Sequence, residues 1–201
     1  MKRITLSFAL AAAVVFAVAP AHAELDTYEL DASHTSIVFK ISHMGFSHTY
    51  GMFPGVEGTL TFDAEHLDEA SIEATVQAAS VNTMNEARDG HLKNEDFFNV
   101  EKFPVISFKS SKWEAGEDGL YKVTGDLSLL GKSKEITIDV KHVASGEGMK
   151  GELRQGFETE FTIKRSDFGM DYGVGGPLGD EVTLVVSLEA TFQTPELPER
   201  L

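Results

Sequence analysis

The chain has 201 residues, contains no cysteine, and carries 32 acidic against 17 basic side chains. The missing cysteines exclude a disulfide framework, and the acidic excess argues against nucleic acid or an anionic membrane surface as a partner. This length fits one domain that is stable on its own core.

Residues 1–23 have the pattern of a cleaved secretory signal peptide. Lys2 and Arg3 form a positive start, an apolar run follows, and Ala21-His22-Ala23 offers the small residues of a cleavage site. A retained anchor is the alternative, but an apolar run of about 15 residues is shorter than the ~20 that a spanning helix needs. We therefore expect export to the periplasm of a mature chain with 15 basic and 32 acidic residues, a net charge of −17.

Eight segments of the mature chain alternate apolar and polar residues at period two, which is typical of half-buried β-strands. In chain order they are residues 36–44, 56–62, a segment from residue 71, and residues 105–111, 120–129, 135–144, 152–165 and 181–192. Tyr28 and Leu30 predict a short leading strand. Residues 45–55 and the glycine-rich residues 166–180 are predicted to be connections.

The period changes between the third and fourth long strands. Residues 84–99 favour one or two short helices interrupted near Gly90, with Phe97 and Phe98 at one barrel mouth. The whole pattern predicts an all-β, eight-stranded antiparallel barrel with a short helical insertion. Residues 24–193 would form this single domain, and residues 194–201 an exposed tail.

A barrel of eight strands is either filled by its own side chains or holds one small ligand. Small residues on the predicted inner face, such as Gly58, Gly125 and Ala190, favour a cavity beside the aromatic rings, and a solid core is the alternative. The apolar side chains expected to contact a ligand are Ile37, Phe39, Ile41, Met52, Phe53, Leu60, Phe62, Phe97, Phe98, Phe108, Val123, Leu127, Ile138, Phe161, Val186 and Leu188.

Three polar residues are candidates for binding the head group of such a ligand: His34, Arg88 and His91. Charge-assisted hydrogen bonds from Arg88 or His91 would hold a carbonyl or a phosphate. Alternatively, Arg88 and Asp89 only fix the inserted helix, and Arg165 is assigned a similar structural role. The histidines show no metal-binding spacing, so no metal site is predicted.

Several short motifs occur along the chain: residues 31–39 (DASHTSIVF), 88–92 (RDGHL) followed by 96–98 (DFF), and 165–169 (RSDFG), with supporting matches at residues 103–104, 125–127 and 130–131. In this order and spacing they resemble the YceI-like family of exported lipid-binding barrels. The resemblance implies a lipocalin-like barrel that encloses a long isoprenoid or similar amphiphile. It implies no enzymatic activity and no cofactor beyond the bound lipid, and it leaves a homodimer open.

The sequence therefore favours a non-catalytic periplasmic carrier of a long-chain isoprenoid, either an isoprenoid quinone or a polyprenyl chain. Two alternatives stay open. One is a stress-related module that binds proteins through the loops of a solid barrel. The other is a lipid-modifying enzyme that depends on His91 or Asp89, although no cysteine or Gly-x-Ser-x-Gly motif offers a nucleophile.

Overall fold

A computed structural model describes residues 25–192, which form ten antiparallel strands, one α-helix and two 3₁₀ helices. The predicted signal peptide and C-terminal tail lie outside the described residues. The elements are β1 Thr27–Leu30, β2 Ser36–His43, β3 Ser47–Phe53, β4 Glu57–Thr61, β5 Ser71–Gln77, a 3₁₀ helix Ala78–Ser80, α1 Glu86–Leu92, β6 Val105–Ala115, β7 Leu120–Leu129, β8 Lys132–Glu147, β9 Leu153–Lys164, a 3₁₀ helix Arg165–Phe168 and β10 Leu178–Phe192.

The ten strands build a closed barrel of eight positions. One edge of β10 pairs with β9 over residues 181–192, and the other edge pairs first with β2 and then with β1. On their other edges, β1 pairs with β4 and β2 pairs with β3. The pieces β1 and β2 therefore share one position of the barrel, and the pieces β3 and β4 share the next. The predicted eight-stranded antiparallel barrel is confirmed.

The prediction that residues 45–55 form a connection was wrong, because β3 occupies most of that stretch. Its outward face carries the large side chains of His48, Tyr50 and Met52. The segment therefore lacks the alternation of apolar inward and polar outward residues that is usual for a strand over a core. Gly51 faces inward, and a Cβ atom there would lie 2.3 Å from Cζ of Phe39. The glycine therefore lets a neighbouring aromatic ring cross the strand.

The helical insertion lies between β5 and β6, as predicted, but it is not interrupted at Gly90. A single helix, α1, runs through that glycine, and its N-cap is Asn85, whose side chain accepts a hydrogen bond from the Arg88 amide at 3.0 Å. None of the residues of α1 is fully buried. The helices in the described part of the chain are too short and too polar to cross a lipid bilayer.

The two ends of the barrel, the closed end and the mouth, differ in structure. The closed end contains the start of β1 and the β6–β7 and β8–β9 hairpins, and the mouth contains the β2–β3 turn, α1 and the 3₁₀ helix Arg165–Phe168. At the closed end the Phe62 ring lies 4.9 to 5.5 Å, between ring centroids, from Phe157, His142, Tyr121 and Trp113. These rings seal the barrel at that end.

Candidate functional site

The barrel encloses a cavity of about 620 Å³ whose walls are almost entirely apolar. The side chains come from the inward faces of alternating positions on most strands, which is the direct consequence of the period-two pattern. This volume falls within the range of about 300–1,000 Å³ that small-molecule sites occupy. The premise of a solid barrel, on which the protein-interaction alternative depended, is therefore wrong.

Fourteen of the sixteen apolar residues selected from the sequence line this cavity. From the first to the last they are Ile37, Phe39, Ile41, Phe53, Leu60, Phe97, Phe98, Phe108, Val123, Leu127, Ile138, Phe161, Val186 and Leu188. Their position is established by the structure, whereas their role in binding a ligand stays a prediction.

Two of the predicted lining residues lie elsewhere. Met52 is on the outward face of β3 and is 37% exposed, because Gly51 and Phe53 take the inward positions beside it. Phe62 follows the end of β4 and is buried among the rings of the closed end, beyond the floor of the cavity. We therefore remove Met52 and Phe62 from the candidate site.

Arg88 lines the mouth, and two of its five N–H donors are used locally. Its Nε and one terminal nitrogen donate to the hydroxyl and the carbonyl of Thr83, each at 2.8 Å. Asp89 accepts from the amide of the same buried threonine at 2.8 Å and from its hydroxyl at 2.5 Å. These bonds, led by the one to the hydroxyl, lower the pKa of Asp89. Arg88 and Asp89 thus fix α1 to the preceding loop.

His91 also lines the mouth, inside a small cluster of rings. Its Nε2 lies 3.0 Å from Oδ2 of Asp96, and its ring centroid lies 5.0 Å from that of Phe97 and 5.3 Å from that of Tyr172. The exposed side of this cluster faces solvent, so an entering amphiphile would pass it. The arrangement suits contact with a ligand at the rim more than deep binding.

His34 lies in the connection between β1 and β2, in the half of the wall nearer the closed end, and it does not line the cavity. Its Nδ1 lies 2.8 Å from Oδ2 of Asp31, and this hydrogen bond raises the pKa of His34. Asp31, His34 and Glu189 are the residues of the described chain whose ligand atoms could converge on a metal ion. The guanidinium of Arg154 already contacts both carboxylates of that group, so the geometry is that of an ion-pair cluster.

Arg165 has the structural role assigned to it, since it donates to the carbonyls of Met170 and Gly179 in the closing loop, but its place in the cavity wall was not predicted. It begins the 3₁₀ helix at the mouth and is only 2% exposed, yet it borders the apolar cavity. A basic residue directly after a strand normally faces solvent, so its residue type alone gave no signal of burial. Its burial depends on the glycine-rich segment that follows it, whose Met170 and Gly179 carbonyls accept hydrogen bonds from its side chain.

The comparisons with known proteins agree with this architecture. The family model described as "YceI-like domain" matches residues 28–190, which covers nearly all of the barrel. The chain belongs to the YceI-like family. "Protein YceI" of Salmonella arizonae is 35% identical over 193 residues, covering 96% of this chain and 100% of that protein.

Solved structures of YceI-like and related barrels are similar as well. The crystal structure of Burkholderia cenocepacia BcnA gives a TM-score of 0.72 at 25% identity and covers 81% of this chain and 99% of that one. The Campylobacter jejuni YCEI protein gives 0.68 at 33% identity and covers 77% and 91%. A polyisoprenoid-binding domain from Saccharophagus degradans gives 0.65 over 85% and 100%, and its 18% identity makes it a match of fold alone.

Proposed function

We propose that this YceI-like protein is a non-catalytic carrier that holds the hydrocarbon chain of an isoprenoid lipid inside its barrel. The observation that carries the proposal is the cavity itself, about 620 Å³ of apolar space that the protein's own side chains leave unfilled. An unfilled apolar cavity forfeits dispersion contacts along its lining, and a hydrocarbon ligand would restore them. A relative of similar fold is described as polyisoprenoid-binding, which is consistent with this occupant.

The expected energetics suit a lipid that binds tightly and still exchanges. Burial contributes ~0.8 kcal/mol per methylene group, so each five-carbon unit contributes about 3–4 kcal/mol before losses. Ordering a flexible chain offsets much of this gain. A few enclosed units are therefore enough for the ligand to survive purification.

The charge of the protein favours a neutral or weakly charged head group. The predicted mature chain has a net charge of −17, which repels a polyanionic pyrophosphate during its approach. An isoprenoid quinone meets no such barrier, so it is the preferred occupant within the proposal. The signal-peptide pattern of residues 1–23 supports the periplasm as the place of action.

The first test is to identify what the protein carries. Protein purified without detergent is extracted with organic solvent, and the extract is analysed by mass spectrometry. We expect an isoprenoid amphiphile in near-stoichiometric amount, chemically unchanged after prolonged incubation with the protein. Preparations that repeatedly yield no amphiphile, together with failure to bind added isoprenoid quinone, would overturn the proposal.

A matched pair of substitutions tests whether the lipid is inside the barrel. Val186 lines the cavity, and its neighbour Val185 is on the outward face and 44% exposed. Val186→Trp is expected to reduce the affinity for isoprenoid quinone by at least tenfold, because the indole occupies the space of the chain. Val185→Trp adds the same group outside and should leave binding unchanged. Equal affinities of the two variants would place the lipid elsewhere.

The same pair separates a cavity from a filled core by stability. Overpacking a filled core costs about 1–3 kcal/mol. Because Val186 faces empty space, we expect Val186→Trp to cost less than this in the free energy of unfolding, measured by urea denaturation. A larger loss would mean that the cavity closes in solution.

A further inference from the structure

The turn between β2 and β3 carries two exposed apolar side chains at the mouth. Met44 is 56% exposed and Phe46 is 88% exposed. The residues on either side of this turn, His43 and Ser47, are paired with each other, and both line the cavity. Residues 44–46, named the rim turn, therefore extend from the edge of the cavity opening into solvent.

The backbone of the rim turn is unusual for its residues. The amide of Phe46 donates to the carbonyl of His43 at 3.1 Å, and the two residues between them have positive φ, 53° at Met44 and 72° at Gly45. Turns with positive φ at both central positions usually carry Asn-Gly or Asp-Gly, because a bulky side chain is strained there. An asparagine at position 44 would be less strained and better hydrated, so the turn alone does not account for a methionine.

A second methionine at the mouth shows the same combination. Met84 has a φ of 60° and is 89% exposed, and it directly follows Thr83, which lines the cavity. Its amide donates to the side chain of Asn82 at 2.8 Å. Residues in sparsely populated backbone regions cluster at functional sites. Two exposed methionines in left-handed backbone therefore indicate that apolar side chains are needed outside this opening.

The rim turn is fixed to the rest of the mouth. The Met44 amide donates to the carbonyl of Pro177 at 2.7 Å, and the next residue, Leu178, pairs with His43. Behind the turn, β3 pairs with β2 along its whole length. The apolar side chains are thus presented at a fixed place beside the opening, which reduces the ordering cost of a contact.

Charge distinguishes this hairpin from the rest of the protein. Residues 32–56, which include β2, the rim turn and β3, contain no aspartate or glutamate, although the chain has 32 carboxylate side chains. Other elements of the mouth do carry carboxylates, among them Glu86 on α1 and Asp171 after the second 3₁₀ helix. The rim turn can therefore enter an apolar surface without the cost of desolvating a nearby carboxylate.

We propose that the rim turn docks the mouth onto a lipid bilayer, with Met44 and Phe46 inserted into its surface while the ligand is exchanged. This proposal rests on the proposed function and deepens it, because it names the surface that supplies and receives the lipid. An isoprenoid chain passes between bilayer and cavity without exposure to water only where the opening contacts the bilayer. The net charge of −17 of the predicted mature chain favours a zwitterionic surface over a strongly anionic one.

A protein partner fits this surface less well. Specific protein interfaces bury about 1,200–2,000 Å² and involve about 20–30 residues on each side. The rim turn offers only two large apolar side chains, which is enough for a weak and reversible contact with a bilayer. Exposed apolar side chains next to the opening of a lipid cavity are in the place that such a contact requires.

Tryptophan quenching tests the contact directly. The chain has one tryptophan, Trp113, which is buried at the closed end. Phe46→Trp adds an indole on the rim turn, and we expect phosphatidylcholine vesicles with brominated acyl chains to quench it. Met149→Trp is the matched control, because Met149 is fully exposed in the β8–β9 hairpin at the closed end. No added quenching at position 46, or equal quenching at both positions, would overturn the proposal.

Transfer kinetics test whether the contact serves exchange. Protein loaded with isoprenoid quinone is mixed with phosphatidylcholine vesicles, and the rate of release is measured at increasing vesicle concentration. Docking predicts a rate that rises with vesicle concentration, whereas release through water gives a constant rate. Phe46→Asp should lower the transfer rate by roughly tenfold, because ring burial is lost and a carboxylate must be desolvated. Met149→Asp should leave the rate unchanged.

The equilibrium affinity for isoprenoid quinone separates docking from ligand binding. Met44 and Phe46 lie outside the lining of the cavity, so Phe46→Asp should bind the quinone with wild-type affinity. A loss of affinity as large as the loss of rate would mean that Phe46 contacts the ligand, and the proposal would be wrong. It would also be wrong if Phe46→Asp transferred lipid at the wild-type rate and only dissociated a dimer in sedimentation.

Failure of the proposal and failure of the proposed function give different results. If the wild type binds quinone but releases it at a rate independent of vesicle concentration, the protein is a carrier that does not dock through the rim turn. If the wild type binds no quinone, the carrier function itself is wrong, and the proposal fails with it.

Discussion

The two ends of the barrel are built for different purposes. The closed end packs four aromatic rings around Phe62 and adds the ion-pair cluster of Asp31, Arg154 and Glu189. The mouth carries the helix α1, which buries none of its residues completely, and Phe46 at the β2–β3 turn is 88% exposed. The closed end is therefore sealed by packed rings, and access to the cavity is at the mouth, where a separate buried cluster includes Phe97 and Phe168.

The wall of the barrel shows the same division. The main-chain pairing of β8 with β9 runs from the pair Lys141 and Glu158 to the closed end. On the mouth side of Lys141 the pairing of these two strands stops. There the contact is a side-chain bond, in which the hydroxyl of Thr159 donates to the carbonyl of Asp139 at 2.7 Å. Regions with fewer main-chain hydrogen bonds open at lower free energy, so this seam is expected to move before the closed end does.

The largest expected effect comes from the centre of the closed end. Phe62→Ala removes a buried ring that contacts four others, and we expect it to reduce the free energy of unfolding by about 3–5 kcal/mol. Because Phe62 does not line the cavity, the fraction that stays folded should bind isoprenoid quinone with wild-type affinity. Urea denaturation and a titration at low temperature measure the two quantities.

Phe46→Ala is the control at the mouth. It deletes the same ring from an exposed turn, and the free energy of unfolding should change by less than about 0.5 kcal/mol. Similar losses of stability in the two variants would show that the ends do not differ as described.

The contrast also explains how far the sequence could predict the fold. Strands that cover the core alternate at period two, so β2, β7 and β10 were identified from their residues alone. β3 was missed because it presents bulky side chains outward and needs Gly51 where Phe39 crosses it. That requirement is a contact between two strands, and a pattern within one strand does not contain it.

The cavity was predicted for a reason that the structure revises. Small inward residues were expected to leave room for a ligand, yet a Cβ atom at Gly125 would lie 2.5 Å from the carbonyl of Lys109 and 2.7 Å from the Phe108 ring. That glycine accommodates its own neighbours, while the cavity is lined by Phe108 and by the next inward residues of the strand, Val123 and Leu127. The buried position of Arg165 was equally beyond prediction, because it depends on how residues 169–179 fold back.

A smaller effect is expected from the helix at the mouth. Asn85→Ala removes the side-chain acceptor of the Arg88 amide, a loss of about 1 kcal/mol for a typical N-cap. Since α1 contributes little to the buried core, the change should appear as local opening. Hydrogen exchange should accelerate at the amides of residues 88–92 and stay unchanged in β7. Equal acceleration in both would mean that α1 unfolds only together with the barrel.

The smallest expected effect is a pH dependence at the closed end. The hydrogen bond to Asp31 raises the pKa of His34, so the protonated imidazole stabilises the folded state. That stabilisation is complete below the unfolded pKa of about 6.5 and is lost as the pH rises through the higher folded value. His34→Asn should therefore flatten the decline of the free energy of unfolding above about pH 6.5. His66 is paired with Asp63 in the same way, so adding His66→Asn should flatten the decline of the free energy of unfolding further. If the plots of this free energy against pH stay parallel to that of the wild type, neither imidazole gains a proton on folding.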